Sequence, residues 1–165
     1  MSRRITAAFI VAAASVLAIA LAAASTLPED IHGYLGWNRA NVNKNFIESP
    51  HPEAKDVYYN DIAAETIDTA EAVADMEFPF AEGSIFVKET LDPDSLQVPV
   101  ITTMRKVDGF DPDNNDWQYG MFERQEDGTF AGEWFDADAE MAAMCVECHT
   151  AVADQDFAFL DYLGQ

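Results

Sequence analysis

The sequence predicts an α+β fold: one domain with an antiparallel β-sheet flanked by helices. Three observations predict it. The 165 residues are nearly half apolar and 12% aromatic, enough for one hydrophobic core and too few for two comfortable ones. The patterns run helix first, then several β-favouring segments, then helix, an order that suits a sheet with helices packed on it. Asp127-Gly128 is a strong tight-turn dipeptide between two of those segments, which makes them antiparallel neighbours.

Each element follows in chain order. Arg3 and Arg4 form a short basic start, residues 5–24 carry no charge, and Ala22-Ala23-Ala24 offers small residues before Ser25. This is the pattern of a signal peptide over residues 1–24, leaving 25–165 as the domain and a periplasmic or secreted protein. An uncleaved anchor is the alternative, since about 20 apolar residues span a bilayer. Residues 25–33 read as a poorly fixed N-terminus. Gly33 to Ile47, with Trp37 and Phe46 among polar residues, reads as a short helix ended by Pro50 and Pro52. Lys55 to Asn60 holds the β-favouring run Val57-Tyr58-Tyr59. Asp61 to Met76 places Ile62, Ile67, Ala70 and Val73 near helical spacing and predicts an amphipathic helix. Four strands are then predicted: Ser84 to Thr90, Val98 to Val107, Trp117 to Arg124 with Trp117, Tyr119 and Met121 on one face, and Thr129 to Phe135. Asp136 or Asp138 is placed to cap a last helix through the two cysteines.

The formal charge is −21. Removing residues 1–24 takes away Arg3 and Arg4 and no acid, which makes it −23. Nucleic acid and anionic membranes would repel such a surface. A cationic redox partner would be steered toward it, although an acidic surface also serves solubility alone.

The chemistry sits in Cys145-Val146-Glu147-Cys148-His149, a CxxCH run. Residues three apart share a helix face, so both thiols meet the two vinyl groups of one haem edge, and the next histidine reaches the iron from the same side. Such attachment takes place outside the cytoplasm, in keeping with the leader. The run therefore predicts one covalently attached haem c, with His149 as the iron ligand. A redox disulfide wants a βαβ context that does not precede the motif. A zinc site wants a further ligand, and neither His32 nor His51 has useful spacing. Met76, Met104, Met121, Met141 and Met144 are candidates for a sixth iron ligand or, equally, core fillers. Met141 and Met144 lie too near the cysteines to reach the other haem face. Asp111 to Asp116 invites a calcium loop but lacks its glycine, and Phe122 stands where the closing glutamate belongs.

Three blocks of the chain resemble the cytochrome P-460 family: Glu82 to Glu89 (EGSIFVKE), Asn115-Asp116-Trp117 through Met121-Phe122, and CVECH followed by Asp154 to Phe159 (DQDFAF). Val57-Tyr58-Tyr59-Asn60 fits more loosely. The resemblance implies an antiparallel sheet flanked by helices, a five-coordinate haem with an open distal side, and, in enzyme members, a lysine crosslinked to the macrocycle and oxidation of hydroxylamine to nitrogen oxides. Lys88 maps onto that lysine. On a strand, Phe86 and Lys88 share a face, opposite Ile85 and Val87. If that face borders the haem, Phe86 helps line the distal pocket; otherwise Lys88 merely blunts an edge strand. Glu140, five residues before Cys145, stands where some members carry a distal carboxylate able to accept protons. Alternatively it belongs with Asp136 and Asp138 to an acidic helix start. A basic residue that is arginine in the family falls on Lys55 here.

Three functions follow as expectations. The first is hydroxylamine oxidation, with Lys88 and Glu140 as catalytic residues and Cys145, Cys148, His149, Lys88 and Phe86 holding the haem. The second is binding of nitric oxide or carbon monoxide, as in the related cytochrome c′-β proteins, without the crosslink. The third is simple electron transfer with a sixth protein ligand. The resemblance also implies a possible homodimer.

Overall fold

The computed structural model describes residues 27–42, 51 and 54–163; the predicted leader 1–24, Phe46, Ile47, Pro50 and Pro52 lie outside them. Among the described residues six strands form one sheet, each antiparallel to the next in sequence. They are β1 (Asn38–Arg39), β2 (Ala54–Tyr59), β3 (Ile85–Leu91), β4 (Val100–Lys106), β5 (Trp117–Arg124) and β6 (Phe130–Trp134). Helices α1 (Asp61–Ile67) and α2 (Glu140–His149) pack on one face of the sheet. This is the α+β architecture that the sequence predicts, with every predicted strand present.

Alternation along the strands divides the core in two. Phe86, Met104, Trp117 and Tyr119 point toward the helices and join Ala63, Ile67 and Ala142 in one cluster. Ile85, Val87, Ile101 and Phe122 point to the other face and form a second. Both faces are covered, so β3 is buried almost throughout, unlike a meander with one wet face. At the β5–β6 turn Gly128 has φ +86°, and the Asp127 carboxylate accepts from Thr129 N at 2.9 Å, the geometry that Asp-Gly favours.

Four expectations are corrected. Residues 27–33 are not loose: Ile31 is fully buried under the second face, and its N–H donates to the Pro28 carbonyl at 3.0 Å. In place of a helix from Gly33, Tyr34–Gly36 makes one 3-10 turn and the chain extends at Trp37 into β1. Glycines at 33 and 36 weaken a helix there, while Trp37 and Tyr34 gain burial against the sheet. Helix α1 stops at Ile67 and a separate 3-10 turn spans Val73–Asp75. Thr69 Oγ1 donates to the Glu65 and Thr66 carbonyls at 3.2 and 3.1 Å, satisfying the end of the helix. Finally, neither Asp136 nor Asp138 caps α2: its N-cap is Ala139, with no side-chain bond, and Asp136 contributes its backbone carbonyl to Ala139 N instead.

Candidate cofactor cavity

Two cross-strand rows build the wall of a cavity between the sheet and α2. In one row Phe86 pairs with Met104 and Met104 with Tyr119. In the next, Val57 pairs with Lys88, Lys88 with Thr102 and Thr102 with Met121. The opposite wall comes from Met141, Cys145 and His149 of α2 and from Ala158, Phe159 and Tyr162 beyond it. The space between the walls is about 700 Å³ when the solvent at its open side is included. Its lining is mostly apolar.

His149 is the best-determined group in it. Its Nδ1 lies 2.6 Å from the Phe157 carbonyl. A carbonyl only accepts, so Nδ1 carries the proton and Nε2 keeps its lone pair, as a metal-binding imidazole requires. Tyr119 and Phe159 close on the ring at centroid distances of 4.9 and 5.1 Å. Burial pushes the imidazole pKa down to about 4; the bond to Phe157 opposes the shift and Lys88 adds to it. The ring is neutral through the physiological range. Both cysteines are free thiols: Cys145 lines the cavity and Cys148, one turn on, is exposed.

Lys88 and Phe86 share the inward face of β3 and both line the cavity. Lys88 Nζ stands 5.3 Å from the Tyr162 ring centroid and has no carboxylate partner among the described residues. Burial, and then the charge of Lys55, lowers its pKa to about 8. Lys55 itself is fully buried on β2. Glu140 is not brought to the cavity: it is exposed at the first position of α2, and its neighbour Met141 takes the lining position. Of the candidate sulfur ligands, Met104, Met121 and Met141 line the cavity, whereas Met76 packs against the core and Met144 is exposed.

Sequence reasoning missed two polar groups here. His51 lines the cavity, with its pKa lowered to about 4 by burial and then by Lys88, His149 and Lys55; no spacing in the sequence points to it. Tyr119 Oη is buried with no hydrogen-bond partner among the described residues. Its position was legible as the inward face of β5, but not its vacant hydroxyl.

An apolar cavity, an imidazole nitrogen with a free lone pair aimed by the Phe157 carbonyl, a thiol in the wall and an unpaired hydroxyl fit a haem. Cys145 and Cys148 would hold its edge, His149 Nε2 its iron, and Tyr119 would offer a polar contact. A family model described as Cytochrome P460 matches residues 31–160. No curated protein matches the chain.

Proposed function

The chain belongs to the cytochrome P460 family and is a haem protein of that type, and from this premise we propose that it carries one covalently attached haem c and oxidises hydroxylamine at a five-coordinate iron. The observation that carries this reading is Lys88, a lysine without a carboxylate partner in the cavity wall whose amine becomes neutral near pH 8. A surface lysine kept for solubility has neither property. A neutral amine is a nucleophile, which suits the crosslink to the macrocycle that the family resemblance implies.

Bound haem supplies the acceptor for the electrons that hydroxylamine gives up. The chain's own residues do the rest. The walls formed by Phe86, Val57 and Met104 keep water from the reacting nitrogen. His149, oriented by Phe157, would hold the iron. The neutral imidazole of His51 in the wall would be the first acceptor for protons released in the cavity. Export through the 1–24 leader goes with covalent attachment.

Turnover tests the reading: purified holoprotein reduces an artificial electron acceptor in the presence of hydroxylamine, and Lys88→Gln lowers that rate at least about tenfold. A rate unchanged by Lys88→Gln contradicts it. One observation favours a second reading, the binding of nitric oxide or carbon monoxide: among the described residues no aspartate or glutamate lines the cavity. Tight gas binding with no hydroxylamine turnover would select it.

A further inference from the structure

The segment after His149 holds a heavily bonded carboxylate. Asp156 is buried. Its two oxygens accept from Lys106 Nζ, at 2.8 Å each, from the Phe80 N–H at 2.7 Å and from Asn115 Nδ2. Its main-chain carbonyl accepts from Trp117 Nε1 at 2.7 Å. One residue is thereby tied to β4, to β5, to the loop between them and to the segment before β3. None of these bonds is needed to explain the cavity.

The next residue is Phe157, whose carbonyl orients His149. Asp156 and Phe157 both lie in the left-handed region, at φ 54° and 61°. Aspartate tolerates that conformation through its short polar side chain, but a phenylalanine does not adopt it without external restraint. Two successive left-handed residues reverse the chain after the 3-10 turn Thr150–Gln155 and bring the carbonyl back over the ring of His149. Two restraints hold Phe157 there: its N–H donates to the Val152 carbonyl at 3.0 Å, and the bonds to Asp156 fix the residue before it to the sheet. Lys106 is buried with it and sits 4.8 Å from the Trp117 ring centroid, so the anchor is itself fixed to the sheet.

We propose that Asp156 is a positioning residue for the haem ligand: anchored by Lys106, Phe80, Asn115 and Trp117, it holds the Phe157 carbonyl on His149 Nδ1 and so sets how strongly Nε2 donates to iron. Outer partners of ligating histidines act in this way, raising the basicity of the imidazole and fixing its plane. The sheet, through Lys106 and Trp117, would thereby hold the carbonyl that orients the iron-binding histidine. The inference rests on His149 being the iron ligand.

The test uses the haem-loaded protein and two variants, Asp156→Asn and Asn115→Ala. Asparagine also tolerates the left-handed backbone but gives up the ion pair with Lys106. Asn115 lies at the partly buried edge of the anchor, so its truncation weakens the anchor and leaves the ion pair in place. Three quantities are read: the iron–histidine stretching frequency of the ferrous protein, the midpoint potential of the haem, and the melting temperature. Asp156→Asn is expected to lower the stretch and raise the potential, because a poorer acceptor on Nδ1 leaves Nε2 a weaker donor. Asn115→Ala is expected to move both in the same direction by less. If stretch and potential stay at wild-type values in both variants while the melting temperature falls, Asp156 is merely structural and the proposal is overturned. If Asp156→Asn does not fold, the presence or absence of the shifts in Asn115→Ala decides. A wild-type protein with no iron–histidine stretch overturns the ligand assignment, and this proposal with it.

Discussion

Lys88 reaches the cavity because a strand turns alternate side chains to opposite faces, and that parity was legible from the run Ile85-Phe86-Val87-Lys88 alone. Its amine titrates near pH 8 in the fold against about 10.4 in an unfolded chain. The folded state therefore sheds its proton first. In the haem-free chain the penalty of burying the ammonium is complete below pH 8, and stability rises with pH between 8 and about 10.4, by up to about 3 kcal/mol. Urea unfolding across that window checks this, and Lys88→Met should abolish the slope. His51 has a consequence of the same sign in acid. Its pKa of about 4 lies below that of an unfolded histidine, about 6.5, so stability is lost as pH falls from 6.5 toward 4. His51→Gln flattens that loss, read as the acid midpoint of unfolding. The sequence pointed to Lys88 and Phe86, and named Met104 and Met121 only among five candidate methionines; it did not point to His51. Singling out those two methionines needs the register between strands, and His51 needs a contact across the whole fold. Glu140 failed to reach the cavity for a helical reason: a step of one residue turns the side chain by about 100°, and Met141 took the inward position.

Elements were easiest to read where a local rule acts without competition. The Asp127-Gly128 turn and the strands on either side of it were legible because turn chemistry and alternation agree. Helix α1 was read too long because its periodicity continues past Ile67, whereas Asp68 and Glu71 put negative charge at the end of a helix where the dipole disfavours it. Its start is secured by Asn60, whose Oδ1 accepts from Ala63 N and Ile85 N at 3.1 Å each and whose Nδ2 donates to the Gly83 carbonyl at 2.8 Å. Asn60→Ala removes the cap and the tie to β3 together and should cost about 2 kcal/mol in thermal or urea unfolding. At the β5–β6 pair, a Cβ on Gly132 would sit 1.9 Å from the Met121 carbonyl oxygen. Backbone cannot yield there as a flexible side chain would. Gly132→Ala should therefore destabilise by about 3 kcal/mol, visible as a lowered melting temperature with the spectrum of any refolded haem site unchanged.

At the scale of the whole molecule, two covered sheet faces divide the work. The N-terminal segment from Leu27 to Trp37 seals one face with Ile31 and Tyr34, and Tyr34 Oη donates to buried Glu89 at 2.6 Å. The other face, with both helices, is free to open the cavity. That the N-terminal residues fold back was not legible locally, because the partner face becomes apolar only through the alternation of distant strands. A net charge of −21 would steer a basic redox partner toward the surface, if the protein has one. Reduction of a basic acceptor protein should slow steeply as ionic strength rises, while reduction of a neutral dye should not. The central claim is that one haem is bonded to Cys145 and Cys148 and also to Lys88, and peptide mass analysis of the proteolysed holoprotein tests it most directly. A single haem-bearing species is expected, joining the peptide containing Cys145 and Cys148 to the peptide containing Lys88. A haem carried by the cysteine peptide alone would contradict it.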